Sequence, residues 1–158
     1  MEYSFASYLL SAQIAVFSPP NLAHPFNAWT PRHYEQGFAW RPGSVSFLMI
    51  EEYGDVQVTV LSAPSADLSE NAIRVIKVPF QVDPVGLFAV SNLVEVEQVG
   101  LPAGMYDLYY ETGVGYDNAL WCRFIFVKTA SMTPAQIVKW SDGLSPVLPL
   151  LMEADPAM

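Results

Sequence analysis

The sequence has 158 residues, of which 52% are hydrophobic and 13% aromatic, so it can build one folded domain and global disorder is excluded. Sixteen acidic and seven basic side chains give a formal net charge of −9, which repels the phosphates of nucleic acids and of anionic membranes. Cys122 is the only cysteine, which excludes a disulfide-stabilised scaffold.

The N-terminal residues 1–17 are largely apolar, but they lack the basic start of a secretion signal and contain Glu2 and Gln13. We therefore expect a cytoplasmic protein. No stretch of the chain approaches the roughly 20 apolar residues needed to cross a bilayer, so no membrane association is expected. The first predicted strand is Ser11–Phe17.

A short helix is predicted after Trp29. Thr30 can accept a backbone N–H as the N-cap, and Pro31 suits the first helical position because its missing N–H would have no partner there. Gly37 can adopt the left-handed conformation that ends the helix, and Gly43 then leads into an apolar strand.

Apolar, β-branched and aromatic residues recur in short blocks separated by Gly, Pro, Asn and Asp, which is typical of a sheet protein. The remaining predicted strands are Ser44–Glu52, Asp55–Ser62, Ala72–Val82, Leu87–Glu97, Gly104–Thr112 and Leu120–Lys128. This number of strands suits an all-β fold, a single-domain antiparallel β-sandwich over residues 1–158 with one or two short helices.

Two short connections predict antiparallel hairpins. Tyr53-Gly54-Asp55 would join strands 44–52 and 55–62, and Pro84-Val85-Gly86 would join strands 72–82 and 87–97. Both are too short for a parallel crossover. Pro79 cannot donate to a ladder and therefore indicates a sheet edge or a bulge.

The C-terminal residues 129–158 contain a second helix signal. Thr133-Pro134-Ala135-Gln136 repeats the Thr-Pro start, and Gly143 offers a stop after Trp140, which predicts a helix of about two turns. The apolar tail from Ser145 to Met158 is expected to pack on the sandwich or to reach a partner.

Three spaced motifs carry a resemblance. They are Trp29-Thr30 followed after six residues by Gly37-Phe38-Ala39 and then Gly43-Ser44-Val45-Ser46-Phe47, next Val78-Pro79-Phe80, and last Leu101-Pro102-Ala103-Gly104-Met105-Tyr106-Asp107-Leu108. Their order and spacing over roughly residues 11–127 resemble the ComJ family of bacterial inhibitors of the competence-associated DNA-entry nuclease. The resemblance implies a nuclease partner.

Groups for catalysis or metal binding are scarce. His24 and His33 have no partner at metal-ligand spacing, and Cys122 lies in an apolar run where we expect a buried, inert thiol. The pair Cys122 and His33 has no nucleophile motif to support it. Gly113-Val114-Gly115 lacks the third glycine of a dinucleotide loop and is expected to be a β-loop. We predict no enzyme activity, cofactor or metal.

Acidic residues instead gather at predicted turns, where loops concentrate binding residues. The partner-binding surface is predicted to combine these acids with nearby exposed aromatics, namely Glu51, Glu52, Tyr53, Asp55, Glu111, Tyr116, Asp117 and Trp121. The motif aromatics are expected in the core, namely Trp29, Phe38, Trp40 and Phe47.

These features favour a protein that binds and blocks a nuclease, because a DNA-cleaving enzyme presents a basic surface that carboxylates can occupy. The segment after Lys128 further favours an immunity protein against a cognate bacterial DNase toxin. One alternative is a β-sandwich module that binds a small ligand or carbohydrate through its loops. Another is an enzyme whose acid and base are two carboxylates that meet only in the fold.

Overall fold

The structure is a computed structural model that describes residues 1–19, 23–140 and 143–157, except for the side chain of Asp117. Its strands are β1 (Glu2–Leu9), β2 (Gln13–Phe17), β3 (Phe38–Arg41), β4 (Ser44–Leu48), β5 (Gly54–Ser62), β6 (Arg74–Val82), β7 (Leu87–Ser91), β8 (Val96–Gly100), β9 (Gly104–Val114), β10 (Leu120–Lys128) and β11 (Gln136–Lys139). Helix α1 is Pro31–Gln36, and a 3-10 turn covers Tyr116–Asn118. Within the described ranges, no helix is long and apolar enough to cross a membrane.

Two sheets form the fold. Sheet A has six strands in the order β1-β5-β10-β9-β6-β11, and sheet B has five in the order β3-β4-β2-β7-β8. The pairs are antiparallel apart from β5 and β10, which run parallel. The predicted all-β fold with a short helix is confirmed, and its strands pair in the predicted antiparallel manner except for β5 and β10.

The core lies between the sheets, where aromatic side chains from both meet. Phe47 of β4 stacks on Tyr110 of β9 with ring centroids 4.4 Å apart, and Phe88 of β7 lies 4.7 Å from Phe126 of β10. The first pair is stacked and the second is tilted, and aromatic pairs at such distances add to the free energy gained from burying their apolar area. Phe47 is fully buried, as predicted from its motif.

Trp40 shows how a buried polar group is satisfied in this core. Its side chain is buried, as predicted, and its indole N–H donates to the carbonyl of Pro79 at 2.7 Å. In the part of the chain that the structure describes, β11 pairs with residues 75–77 of β6 and no strand continues beside Pro79, so Pro79 lies at a sheet edge. The prediction of an edge position for Pro79 is confirmed, and the indole supplies the partner that its carbonyl would otherwise lack.

Both predicted hairpins are wrong, because each connection carries the chain from one sheet to the other. β4 ends at Leu48, so residues 49–53 form a longer crossing from sheet B to β5 in sheet A. Pro84-Val85-Gly86 likewise leads from β6 in sheet A to β7 in sheet B. Turn residues specify that a strand ends, but the strand's next neighbour is chosen by burial of its apolar face.

α1 begins and ends where predicted. Thr30 is the N-cap and Gly37 ends the helix with a φ of +85°. His33 Nδ1 accepts the backbone N–H of Thr30 at 2.9 Å, a role that a Glu or Gln usually fills in a capping box. His33 is therefore a buried structural residue of the helix start.

The predicted C-terminal helix is wrong, since Gln136–Lys139 forms strand β11 on the edge of β6. Ala135 and Ile137 pack against the core while Gln136 and Val138 are exposed, which is the two-residue period of a strand. The backbone groups of β6 supply hydrogen bonds that an isolated helix of about two turns would have to make alone.

The tail after β11 lies against α1 and β3. The side chain of Gln36 donates to Leu151 O at 2.9 Å and accepts from Leu151 N at 2.9 Å. The backbone N–H of Ala154 donates to Trp40 O at 2.6 Å. Leu144 and Ala154 are buried, so this segment covers part of the sandwich.

Candidate functional site

The predicted acidic residues meet because of the parallel pairing in sheet A. β5 and β10 begin at the same end of the sheet, where Leu120 pairs with both Val56 and Val114. The connection 49–53 before β5 therefore lies beside the connection 115–119 before β10. Sequence separation hides this proximity, since residues 54–114 lie between the two connections.

A set of adjoining shallow depressions marks this end of the molecule, and Val114 lines each of them. One, of about 560 Å³, includes Glu51, Tyr53 and Asp55. The next, of about 530 Å³, includes Glu52. We name the acidic end by its residues, which are Glu51, Glu52, Tyr53, Asp55, Val114, Tyr116 and Trp121.

Exposure within the acidic end suits contact with another molecule. The side chains of Glu51, Glu52 and Asp55 are exposed, so this part of the surface is acidic. Tyr53 is 71% exposed and Tyr116 is 96% exposed, which is unusual for large aromatic side chains. Aromatic side chains that are exposed in the free protein can contribute much of the binding free energy when an interface buries them.

Trp121 is half-buried, because its ring lies over Gly113. A Cβ added to Gly113 would lie 2.8 Å from the Trp121 ring and 2.7 Å from the Asn71 carbonyl oxygen, so only glycine fits there. Gly113 and Val114 end β9, which corrects the expected loop at Gly113-Val114-Gly115. Trp121 thus offers only part of its ring to a partner.

Glu111 is a correction to the predicted surface. Its side chain is fully buried, where it pairs with Arg123 Nη1 at 2.6 Å and accepts the backbone N–H of Ser69 at 3.0 Å. Glu111 and Arg123 are direct cross-strand neighbours on β9 and β10. An opposite-charge pair on adjacent predicted strands was the sequence signal for this structural role. The side chain of Asp117 lies outside the described part of the structure.

Trp29 also departs from its predicted place in the core. Its side chain is half-buried, with its indole N–H donating to Gln13 Oε1 at 3.2 Å and its ring 5.0 Å from that of Tyr34. Phe38 lies in the core, as predicted. Trp29 therefore joins the start of α1 to β2 at the surface of the sandwich.

The nucleophile and base considered from the sequence are both structural groups. Cys122 is fully buried, as predicted, and burial raises the pKa of its thiol far above the usual range. Burial chiefly, with Arg32 second, lowers the pKa of His33 against the opposing effect of Asp155. Among the residues that the structure describes, no three His, Cys, Asp or Glu side chains are arranged to hold a metal ion.

A second surface, missed from the sequence, is an apolar groove of about 780 Å³ built by the C-terminal segment. We name it the C-terminal groove, and its walls include Ile137, Trp140, Leu148, Leu150 and Met152. It was missed because the predicted helix would have placed Ile137 and Trp140 differently. The prolines and leucines of residues 144–152 were the signal for an extended, apolar wall.

Comparison with known proteins adds a family and a fold. A family model described as Competence protein J (ComJ) matches residues 5–127. The fold is similar to the crystal structure of ComJ from Bacillus subtilis, described as an inhibitor of the DNA-degrading activity of NucA, with a TM-score of 0.68 and 21% identity over 82% of this chain and 99% of that chain. It is also similar to a structure described as Crocagin biosynthetic gene J, with a TM-score of 0.50 and 14% identity over 81% of this chain and 98% of that chain. No curated protein sequence matches the chain.

The acidic end and the C-terminal groove differ in how they relate to these matches. All residues of the acidic end lie within the matched range 5–127. The residues that line the C-terminal groove, from Pro134 to Met152, all lie beyond it.

Proposed function

Because the chain belongs to the Competence protein J (ComJ) family, we propose that it is a protein inhibitor of a nuclease, acting by binding and without catalysis of its own. The observation that carries the proposal is the family match over residues 5–127, together with a similar fold in a protein described as an inhibitor of NucA. The scarcity of reactive groups supports the same proposal, since Cys122 and His33 both serve the fold.

The mechanism we propose is occlusion of the nuclease surface that holds DNA. A nuclease must present basic groups to the phosphates of DNA. The exposed carboxylates of Glu51, Glu52 and Asp55 carry the same negative charge as those phosphates and can therefore occupy the basic groups in their place. The net charge of −9 steers a basic partner toward the inhibitor and speeds encounter. Tyr53 and Tyr116 supply apolar area that would slow dissociation once it is buried.

We further propose that the chain is an immunity protein, which protects the cytoplasm against a cognate bacterial DNase toxin. Support comes from the segment after residue 127, which lies outside the family match and builds the C-terminal groove. A second surface of this kind allows one inhibitor to be matched to one toxin, because discrimination between partners is a difference of affinities.

The test is to immobilise the protein, recover its partner from the cells that make both, and assay DNA cleavage by the recovered protein. We expect cleavage to fall to background as the inhibitor approaches equal concentration. Recovery of a nuclease whose cleavage is unchanged by a large excess of the inhibitor would refute the proposal, as would a partner without nuclease activity.

A second candidate function is binding of a small ligand, and the C-terminal groove is the observation in its favour. Its volume of about 780 Å³ and apolar walls are typical of a small-molecule site. Calorimetry with an apolar dye and with simple sugars would test it. Saturable binding that Leu148→Asp abolishes would support the groove as a ligand site, and no heat with any probe would exclude it.

A further inference from the structure

β1 lies at one edge of sheet A. It pairs antiparallel with β5 along its whole length, from Glu2 opposite Leu61 to Leu9 opposite Gly54. In the ranges that the structure describes, no strand lies on its other side. Such an edge is a template for another strand, because backbone N–H and C=O groups remain to be satisfied.

The direction of these backbone groups follows from one hydrogen bond. Met1 O accepts the N–H of Ser62 at 3.0 Å, so the odd-numbered residues of this segment face β5. The backbone groups of Glu2, Ser4 and Ala6 therefore face away from the sheet. Tyr8 also faces outward, but its carbonyl accepts from Asn92 Nδ2 at 2.5 Å. The open part of the edge thus runs from Glu2 to Ala6.

Natural edge strands are usually protected from unwanted pairing by charged side chains, proline, a bulge, very short length or a covering segment, and β1 has only the charge of Glu2 at its start and the contact of Asn92 at its end. Lysine, proline, a bulge and short length are the devices that remain. β1 has none of these, since its eight residues, EYSFASYL, keep one unbroken register with β5. The edge at β11 differs, because that strand has four residues and a shift in its register. An unprotected edge of this length is explained if pairing is its purpose.

Charge along the edge indicates what kind of strand would pair with it. Glu2 begins β1, Tyr3 Oη donates to Glu97 at 3.0 Å, and Ser7 Oγ donates to Glu95 at 3.2 Å. The strands β1, β5 and β8 contain no lysine or arginine. A second copy would bring like charges together, whereas a basic strand would find carboxylates beside it.

We propose that β1 accepts an extended, basic segment of the partner nuclease as a further strand of sheet A, an inference that rests on the proposed function. The backbone groups of Ser4 and Ala6 hold the added strand, while Glu2, Glu95 and Glu97 select lysine and arginine side chains in it. The edge continues into the acidic end, because Tyr8 pairs with Asp55. The nuclease would therefore contact one continuous acidic surface.

The test uses the probe peptide, an acetylated and amidated peptide of alternating lysine and valine that is about seven residues long, near the length of a strand. A matched peptide of glutamate and valine is the control for charge. We expect the lysine peptide to bind and to slow amide exchange at Ser4 and Ala6, and the glutamate peptide not to bind. Protection confined to other strands would overturn the proposal.

Ala6→Pro tests the backbone contact directly. The N–H of Ala6 faces outward, so proline there removes a donor from the open edge and breaks no bond to β5. We expect the probe peptide to bind at least about ten-fold more weakly, which corresponds to one backbone hydrogen bond of ~1.4 kcal/mol. Ala6→Ser is the matched control and should bind as the natural chain does. Equal binding of the probe peptide by the proline and serine variants would refute the inference. If the proline variant has a much lower melting temperature than the natural chain, the amide-exchange experiment on the natural chain is the deciding test.

The same variants separate this inference from the proposed function. Full nuclease inhibition by a folded Ala6→Pro variant would overturn strand pairing and leave inhibition in place. Binding of the probe peptide at β1 by a chain that inhibits no nuclease would support the edge and refute the inhibitor function. A concentration-dependent dimer that Ala6→Pro disrupts would instead assign the edge to a second copy of the chain.

Discussion

Glu111 and Glu51 illustrate how one residue type takes two roles in this protein. Glu51 is exposed at the acidic end, whereas Glu111 is fully buried against Arg123 and the backbone of Ser69. Both follow apolar residues in the sequence, so local pattern does not separate them. The difference comes from the opposite strand, where Arg123 supplies the charge that makes burial of a carboxylate tolerable.

Glu111→Gln should lower the free energy of unfolding by roughly 2 kcal/mol, because it leaves Arg123 without its charged partner. The loss is kept modest because Arg123 is partly exposed and water screens its charge. Urea unfolding monitored by tryptophan fluorescence measures the change. In a double-mutant cycle with Arg123→Met, the two effects should be strongly non-additive, and simple additivity would show that the pair contributes little.

Trp40→Ala should cost roughly 3–5 kcal/mol, since it empties a core position and leaves the Pro79 carbonyl unpaired. Trp29→Ala should cost less, roughly 1–2 kcal/mol, because Trp29 is only half-buried. Thermal melting of both variants measures the difference. A larger destabilisation from Trp29→Ala would show that the start of α1 matters more to stability than its exposure indicates.

His33 should make the free energy of unfolding decrease as the pH falls below neutral. Burial lowers the pKa of the folded-state imidazole, whereas the unfolded chain titrates near 6.5, so above that pH both states are neutral and stability is flat. As the pH falls from 6.5 toward the lower folded-state pKa, the unfolded state takes up the proton first, and stability declines by at most ~1.4 kcal/mol per pH unit.

The measurement for His33 is the free energy of unfolding between about pH 5.5 and 7.5, for the natural chain and for His33→Gln. Glutamine preserves the capping position but does not titrate, so the natural chain should show the steeper fall. Parallel curves for the two proteins would assign the pH dependence to other groups.

The structure that some segments adopt is decided by the strands that lie beside them. Residues 136–139 carry a helix signal yet become β11, because β6 offers unpaired backbone groups beside them. Residues 49–53 and 115–119 are short connections that acquire a shared surface only because β5 and β10 are parallel neighbours. The acidic end is therefore a property of strand order, which the individual connections do not encode.

Neutralising the acidic end should slow association with the nuclease. Glu51→Gln combined with Glu52→Gln should lower the association rate several-fold at low salt and leave stability within about ±0.5 kcal/mol, because both side chains are exposed. Asp83→Asn combined with Glu153→Gln removes the same charge elsewhere and is the control. Stopped-flow mixing with the nuclease measures the rates.

The natural chain should also associate more slowly as salt rises, because exposed charges are screened beyond ~10 Å at 0.1 M salt. Equal slowing by the two double variants would mean that only overall charge matters. Unchanged rates in both would place the interface away from the acidic end.

The fold class could be predicted from the sequence, but the assignment of strands to the two sheets could not. Alternating and continuous apolar blocks predicted the bounds of strands such as β5 and β10 accurately. Aromatic residues such as Phe38 and Phe47 were correctly assigned to the core. Sheet membership was not predictable, because an apolar strand can bury its face in either sheet. β1 was missed because small residues such as Ser4 and Ala6 weaken its pattern.

The parallel contact between β5 and β10 has a consequence for how the protein is made. Strand β10 is inserted between β5 and β9, although β5 ends at Ser62 and β10 begins at Leu120. Sheet A is therefore incomplete until the last quarter of the chain is being synthesised, and β5 keeps an open edge until β10 has left the ribosome. Folding that depends on such distant pairings is slow. A nascent chain stopped before Leu120 would lack β10, one of the two central strands of sheet A, and would be exposed to aggregation and proteolysis.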